Sequence, residues 1–240
     1  MYGEWIRPAA PRAETAFVFL HEGLGSVAQW RDFPKRLVEA TGLAGFVYDR
    51  RGHGQSPPLD RPRTARYLHE EALDALPAIL ARERIGDAIL IGHSDGGTIA
   101  LLYGRARAIV TLAAHTFVEE RALEGIRRTA RAYETGGLKA RLERHHGEKT
   151  EALFRAWSGV WLSEEFRGFN IEREVERVTC PLLAIQGADD EYGTAAQVES
   201  IVAHARGRVE VEWIEGCGHA PHLEAGERVM ERVARFVERA

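Results

Sequence analysis

Short apolar runs alternate along the chain with longer segments whose apolar residues recur at helical spacing. The runs predict six strands, at Phe17–Leu20, Gly45–Tyr48, Ala88–Ile91, Ala108–Ala113, Leu182–Gln186 and Val209–Ile214. The segments between them predict helices at Trp30–Ala40, Tyr67–Arg84, Thr98–Arg105, Ala195–Ala205 and Glu224–Glu238. This alternation indicates an α/β fold with a mostly parallel sheet and helices on both faces. The carboxyl ends of parallel strands meet at one edge of the sheet, where active sites gather.

One long segment interrupts this alternation. Residues 118–178 show no strand pattern and predict helices at Glu119–Tyr133, Leu138–His145 and Thr150–Trp161. Glycines mark the turns between these helices, and we expect His145 and His146 at the surface near the last turn. We therefore divide the chain into a core of residues 1–117 and 179–240 and a helical cap of residues 118–178.

Composition is that of an ordinary globular protein. The chain has 240 residues, 45% hydrophobic and 28% charged, which is enough for one α/β domain with an insertion. A net charge of −4 gives no indication of a nucleic acid or an anionic membrane as partner. The first residues contain no apolar run of the kind found in targeting sequences, so we expect a cytoplasmic protein. We expect its partner to be a small molecule. Arginine supplies all but three of the 32 basic residues, which fits a GC-rich genome and is compatible with a thermophilic source.

The stretch Gly92–Gly97 lies between a predicted strand and a predicted helix and carries the pattern Gly-x-Ser-x-Gly. A serine on such a sharp turn is lifted out of the sheet with its hydroxyl exposed. The flanking glycines have a steric role, because Cβ atoms two residues before and after the serine would clash. Ser94 is therefore the candidate nucleophile.

A serine hydroxyl needs a base to take its proton, and the loop after the last predicted strand supplies histidines. His219 follows small flexible residues and precedes a helix, so it can reach the serine as general base and then as general acid. We expect His222, at the start of that helix, to pack or cap instead. The two histidines do not indicate a metal pair, because no third ligand has suitable spacing.

A carboxylate must orient the histidine, and the loop after the fifth predicted strand offers Asp189 and Asp190. We favour Asp190, which lies further into the loop, and expect Asp189 to hold loop amides. The other origin for the acid is the loop after the fourth predicted strand. Its Glu119 and Glu120, however, begin a predicted cap helix.

The oxyanion of an acyl-transfer intermediate needs two backbone donors. The residue after the nucleophile, Asp95, supplies one amide. The loop after the first predicted strand supplies the other, with Gly23 as the first candidate and Leu24 as the second.

Together these residues resemble the α/β-hydrolase superfamily, in a serine esterase-like form with a small helical cap. The order Ser94, Asp190, His219 is the order of that family. The stretch Asp49–Ser56 is similar to the family's Asp-x-Arg-Gly-x-Gly-x-Ser loop, which is mainly structural. The resemblance implies a hydrolase that cleaves small carboxylic esters through an acyl-enzyme on Ser94, with no metal or cofactor.

The same three residues allow other activities. Aminopeptidases, C–C bond hydrolases and cofactor-free haloperoxidase-like enzymes use this scaffold, and a fold does not determine one reaction. A non-catalytic ligand receptor on the same fold is a further alternative. The resemblance leaves the substrate and the oligomeric state open.

The chain departs from the family pattern beside the candidate oxyanion loop. Glu22 stands where the family commonly has glycine, and Asp95 stands where it often has an apolar residue, Met or Gln. Asp95 begins a helix, where exposed amides stabilise a carboxylate, and Glu22 can anchor its own loop. Alternatively, the two carboxylates repel anionic substrates, so that neutral or cationic esters and amides are preferred. The family usually begins with two further strands, whereas there is room here for one, so we expect about six to seven strands.

Apolar side chains are the candidates for the substrate pocket. Phe154, Trp157 and Trp161 recur at helical spacing in the predicted cap, and Leu24 lies in the candidate oxyanion loop. Such a stripe usually packs a helix against its neighbours, and the alternative is a line of aromatic rings along an acyl pocket. We take these four residues as the candidates for substrate binding.

Overall fold

The computed structural model describes residues 1–10 and 14–240 and contains a seven-stranded sheet. Its strands are β1 (Gly3–Ile6), β2 (Ala16–Leu20), β3 (Ala44–Tyr48), β4 (Ala88–His93), β5 (Ala108–Leu112), β6 (Leu182–Gly187) and β7 (Val209–Ile214). They lie in the order β1-β3-β2-β4-β5-β6-β7. Every neighbouring pair is parallel except β1 and β3. The mostly parallel sheet is thus confirmed, and β1 is the one further strand for which the sequence leaves room.

The helices of the described residues follow the predicted alternation, but three of the predicted helices are divided. The helices are α1 (Phe33–Thr41), α2 (Tyr67–Glu70), α3 (Leu76–Glu83), α4 (Asp95–Tyr103), α5 (Glu120–Thr135), α6 (Leu138–His146), α7 (Thr150–Trp161), α8 (Glu172–Val175), α9 (Ala195–His204), α10 (Pro221–Glu224) and α11 (Gly226–Val237). A five-residue π-helical segment, Glu71–Ala75, separates α2 from α3 where one helix was predicted. Pro77 follows it, and a proline has no N–H to continue the ladder. The first and last predicted helices are likewise divided, the first into a 3-10 turn (Val27–Trp30) and α1, the last into α10 and α11.

Two apolar layers cover the faces of the sheet. Successive residues of β2 alternate between them, with Phe17 and Phe19 on one face and Val18 and Leu20 on the other. The first face packs against α1 and α11. The other packs against α2, α3, α4, α9 and the helices of the insertion. All six residues of β4 are buried, so the loop that follows it has a rigid base.

The insertion between β5 and β6 comprises α5 to α8 and no strand among its described residues. It is fastened to core loops by two basic side chains at the junction of α6 and α7. His146 is buried, and its ring bonds the Gly54 N–H at 2.9 Å and the Leu24 carbonyl at 2.8 Å. The Lys149 ammonium donates to the carbonyls of Gly54 and Ser56. The surface position expected for His146 is therefore wrong, while the division into core and cap stays a prediction.

None of the helices described here is long and apolar enough to cross a membrane.

Candidate active site

Ser94 lies on the sharp turn between β4 and α4. Its backbone has φ 51° and ψ −116°, a conformation that strains any residue with a Cβ atom. A Cβ at Gly92 would lie 2.2 Å from the Gly96 carbonyl oxygen, and a Cβ at Gly96 would lie 1.9 Å from the carbonyl oxygen of Leu20. The two glycines therefore permit the close approach that this turn requires.

A chain of hydrogen bonds joins Ser94, His219 and Asp190. His219 Nε2 lies 2.9 Å from Ser94 Oγ, and His219 Nδ1 lies 2.9 Å from each carboxylate oxygen of Asp190. Burial disfavours a charged ring, but the hydrogen bond and the charge of Asp190 outweigh it, so the pKa of His219 is raised. The structure thus brings together the three residues that the sequence selects from three separate loops.

Asp190 is held by its own loop. Its Oδ2 accepts a hydrogen bond of 2.6 Å from the Gln186 side chain, and its Oδ1 accepts from the backbone N–H groups of Tyr192 and Gly193 at 2.7 and 3.2 Å. Burial would raise the pKa of this carboxyl, but the bond to His219 lowers it below the usual value. Asp189 is exposed, and the loop amides expected to bind it donate to Asp190 instead, because Asp190 faces the interior of the turn.

The two alternative acids lie elsewhere. Glu119 accepts hydrogen bonds from the backbone and hydroxyl of Thr194 and from the Gln197 side chain. Glu120 is exposed and pairs with Arg127. These contacts tie the start of α5 to the loop before α9, away from His219.

The candidate oxyanion amides differ in whether they already donate a hydrogen bond. The Gly23 N–H meets no acceptor among the described residues, and the Asp95 N–H is the first of α4, where amides lack a partner within the helix. The Leu24 N–H, by contrast, donates to the Glu22 carboxylate at 2.8 Å. Trp157 lies directly over the loop, because a Cβ at Gly23 would be 2.2 Å from its Nε1 atom.

The two carboxylates beside the oxyanion loop have different surroundings. Asp95 is buried, accepts a hydrogen bond of 2.7 Å from the Tyr67 hydroxyl and lies 3.9 Å from the Arg50 guanidinium. Glu22 binds a backbone amide of its own loop, and burial raises its pKa to about 7 although Arg50 opposes this. Asp95 is therefore compensated by hydrogen bond and charge, whereas Glu22 changes its charge near neutral pH.

The Asp49–Ser56 stretch supports the loop that carries Gly23. The Asp49 carboxylate accepts from the backbone N–H groups of Val27 and Gln55 at 2.6 and 2.7 Å. Arg50 is fully buried and donates to the backbone carbonyl of Glu22 at 2.8 Å. These contacts agree with the structural role that the resemblance implies for this stretch.

A cavity of about 260 Å³ opens beside Ser94 and His219, and we call it the nucleophile cavity. Trp157, Trp161 and Leu24 line it, as expected. Phe154 does not, since its ring is fully buried and stacked on Tyr133 with 3.7 Å between the ring centroids. Helical spacing alone does not show which members of an aromatic stripe face a cavity and which face a neighbouring helix.

Further side chains line the nucleophile cavity without having been selected from the sequence. They are His93, His115, Ala122, Ile126, Thr129, Glu191, Tyr192, Ala220 and Glu224. His115 follows the carboxyl end of β5, and Tyr192 lies in the Asp190 loop. The rule that sites gather at strand ends could have found these two. Ala122, Ile126 and Thr129 belong to α5, so their position depends on how the insertion folds back over the sheet.

His222 packs beside the site, as expected. Its ring centroid lies 4.7 Å from those of Trp30 and His93. Burial, His219 and Arg31 together lower its pKa to about 3. No group of three metal-ligating side chains occurs in residues 1–10 and 14–240.

A serine, a histidine and a carboxylate in hydrogen-bonding order, at the carboxyl edge of a mostly parallel sheet, define the class of α/β proteins with a nucleophile elbow. Residues 17–232 match the sequence model described as the alpha/beta hydrolase family. The chain belongs to this family.

Individual relatives are more distant. The sn-1-specific diacylglycerol lipase ABHD11 of Danio rerio is 34% identical over 87 residues, which are 36% of this chain and 26% of the lipase. The chain thus spans about a quarter of that relative's length. Proline iminopeptidase of Mycobacterium smegmatis superposes with a TM-score of 0.74 at 21% identity over 99% of this chain and 94% of that one. A carboxylesterase of Nitrososphaera gargenis has a TM-score of 0.73 at 22% identity over 100% and 96%. These two likenesses show the fold.

Proposed function

We propose that the protein is a serine hydrolase that cleaves small carboxylic esters through an acyl-enzyme on Ser94. The observation that carries this proposal is the unbroken chain of hydrogen bonds from Asp190 through His219 to Ser94, at the wall of a cavity. Ser94 Oγ attacks the ester carbonyl while its proton passes to His219 Nε2. Asp190 holds the ring and stabilises the imidazolium that forms.

The same groups act on the tetrahedral intermediate that this attack forms. The negative oxygen of the tetrahedral intermediate accepts hydrogen bonds from the free amides of Gly23 and Asp95. His219 returns its proton to the alkoxide, which leaves as the alcohol, and the acyl group stays on Ser94. A water molecule, deprotonated by His219, releases the acid and restores the serine. Every proton in this cycle moves through one ring nitrogen, so neither a metal nor a cofactor has a role.

The cavity favours a small acyl group. Its volume of about 260 Å³ is below the range of about 300–1,000 Å³ typical of pockets for drug-sized ligands. Trp157 and Trp161 supply flat apolar walls, and Ile126 adds an aliphatic one. A short aliphatic or aromatic acyl chain is the group that would bury most of its surface there.

A second candidate is the cleavage of aminoacyl amides or esters. Three carboxyl side chains, Glu22, Glu191 and Glu224, belong to residues that line the nucleophile cavity. A carboxylate close to the acyl group favours a protonated amine on the substrate and disfavours an anion. This charge pattern supports the preference for neutral or cationic acyl groups inferred from the sequence.

A covalent probe tests the proposal. We expect a fluorophosphonate to label the wild-type protein and not the Ser94→Ala variant. Ser163→Ala is the matched control, because Ser163 lies two residues beyond the end of α7 and does not line the nucleophile cavity. A panel of p-nitrophenyl esters and aminoacyl p-nitroanilides then separates the two candidates by kcat/KM. Absent labelling of the wild-type protein would contradict the serine mechanism and favour a ligand receptor. Labelling that persists in Ser94→Ala would show that another residue reacts and would contradict Ser94 as the nucleophile.

A further inference from the structure

A second cavity, of about 370 Å³, adjoins the nucleophile cavity. It lies between the loop that carries Glu22, the 3-10 turn Val27–Trp30 and helix α6. Glu22, His93 and Ala220 line both cavities. A substrate with its carbonyl at Ser94 can therefore extend in two directions, each into a different chemical environment.

The second cavity is basic, and we call it the basic cavity. Arg31, Arg141 and Arg144 line it, and His145 lies beside them. None of the three arginines forms an ion pair within the described residues. Most of the other arginines between α5 and α11 do pair with a carboxylate or donate to a backbone carbonyl. Three uncompensated guanidinium groups at one cavity favour an anion that approaches from solvent.

The position of Arg31 is a second, independent observation. Its backbone has φ 54° and ψ −130°, a conformation that only glycine adopts without strain. Strained residues persist where the surroundings hold them, and they cluster at binding sites. Arg31 and His222 both line the basic cavity, and the Arg31 charge contributes, after burial and His219, to the lowered pKa of His222.

We propose that the basic cavity binds an anionic group, a carboxylate or a phosphate, on the leaving-group side of the substrate. The proposal rests on the proposed function, because it identifies the two cavities with the two halves of an ester. The leaving oxygen must lie at His219 Nε2 to receive its proton. Ala220, the next residue, lies at the wall that the two cavities share, so a group that leaves past His219 can extend into the basic cavity. Trp157 and Trp161, which suit an acyl group, line the nucleophile cavity and not the basic one.

Glu22 lies at the junction and is the one carboxyl group among the described residues that line the basic cavity. Its carboxyl is engaged by the Leu24 amide, and its raised pKa of about 7 leaves it partly uncharged at neutral pH. The three arginines therefore outweigh it. The same group discourages an anion on the acyl side, so the charge of the substrate is selected differently at its two ends.

Four acetate esters with different leaving groups test this assignment. They are 4-acetoxybenzoate, 4-acetoxyphenyl phosphate, methyl 4-acetoxybenzoate and the 4-acetoxyphenyl trimethylammonium ion. The acyl group is constant, so kcat/KM for each, divided by its rate of alkaline hydrolysis, reports the leaving-group site alone. We expect a preference for the anionic esters over the neutral one that falls with added salt. Comparison of the first two esters distinguishes a carboxylate from a phosphate.

Variants decide which residues cause the preference. We expect Arg141→Gln with Arg144→Gln to lower the ratio of anionic to neutral kcat/KM by about tenfold. Arg131→Gln removes an exposed arginine of α5 that lines neither cavity, and it should leave the ratio unchanged. A ratio that is equal to that of alkaline hydrolysis, or that the double variant does not change, overturns the anion site while ester hydrolysis stands.

Binding separates this proposal from the proposed function. Calorimetric titration of Ser94→Ala with 4-hydroxybenzoate, 4-hydroxyphenyl phosphate and methyl 4-hydroxybenzoate needs no turnover. If no ester is hydrolysed, the proposed function fails. An anion that binds more tightly than the methyl ester, and that loses this advantage in the Arg141→Gln, Arg144→Gln background, still supports the site. Equal binding of all three overturns it.

Discussion

The Tyr67 hydroxyl donates a hydrogen bond of 2.7 Å to the carboxylate of Asp95, the residue that follows the nucleophile serine. The same hydroxyl accepts a bond of 2.9 Å from Trp161 Nε1, at the end of α7. A helix of the insertion is thereby connected through Tyr67 to the first turn of α4. The orientation of the Asp95 amide depends on this buried network as well as on the turn itself.

Loss of the Tyr67 hydroxyl should affect both stability and rate. Tyr67→Phe leaves a buried carboxylate with one bond fewer, which costs about 1–3 kcal/mol in the free energy of unfolding. We expect kcat to fall because the Asp95 amide is less well fixed, while KM changes little. Urea denaturation and ester kinetics measure the two effects. Tyr103→Phe, on the far end of α4, should change neither, and equal losses in both variants would contradict a special role for Tyr67.

The two adjacent aspartates provide a matched pair. Asp190→Asn should lower kcat by about 10³–10⁴-fold, because the amide no longer holds His219 in the tautomer that can accept the serine proton. Asp189→Asn changes an exposed side chain and should stay near the wild-type rate. Steady-state kinetics with p-nitrophenyl acetate compare them. Similar losses in both would show that the loop, and not the contact with His219, determines the rate.

The pH profile should report the neutral form of His219. Only the neutral ring accepts the serine proton, so kcat/KM should fall as the pH drops through its pKa. Since Asp190 raises this pKa, we expect the midpoint above the ordinary value of about 6.5. Glu22 titrates in the same range, with a pKa of about 7. The fall of kcat/KM at low pH must therefore persist in the Glu22→Gln variant. If this fall disappears there, the pH dependence belongs to Glu22 and not to His219.

A methyl group at Gly23 should displace the oxyanion loop. The added Cβ would lie 2.2 Å from Trp157 Nε1, so either the loop or the indole must move. We expect Gly23→Ala to lower kcat by about 10²–10³-fold, the usual cost of one oxyanion donor. Trp157→Ala in the same chain should restore part of the rate, and the absence of any rescue would exclude this contact as the cause.

Gly159 is the control for that substitution. It lies within α7, and a Cβ there meets nothing within 4 Å. Gly159→Ala should raise the free energy of unfolding by about 0.5–1 kcal/mol, because alanine loses less entropy in a helix than glycine. The measured activity should be unchanged.

The residues of the candidate site were predictable where a reactive side chain lies in the loop directly after a strand. Ser94 is specified by the glycines that its turn requires, and Asp190 and His219 lie in loops whose place at the sheet edge follows from parallel pairing. The choice of Asp190 over Asp189 needed only its place in the loop. These relationships are local, and the strand order that joins them is a consequence of right-handed crossovers.

Other features depend on packing between distant segments. Phe154 of α7 stacks on Tyr133 of α5, and His146 forms hydrogen bonds with the loops that contain Leu24 and Gly54. No rule of sequence spacing predicts these contacts. The basic cavity likewise exists only because α6 lies beside the turn that carries Arg31. The sequence predicts Phe154 in the pocket lining and His146 at the surface, and no pattern in it selects the three arginines.

The bonds of His146 and Lys149 attach α6, which lines the basic cavity, to the core. Both side chains fix the junction of α6 and α7 to the backbone of the Gly54 loop. On the other side of the insertion, Arg121 and Arg128 of α5 donate to the backbone carbonyls of Asp190 and Glu191. The insertion is thus attached to the core on two sides, so Arg141 and Arg144 belong to a wall that is in place before an anion arrives, and little ordering has to accompany binding.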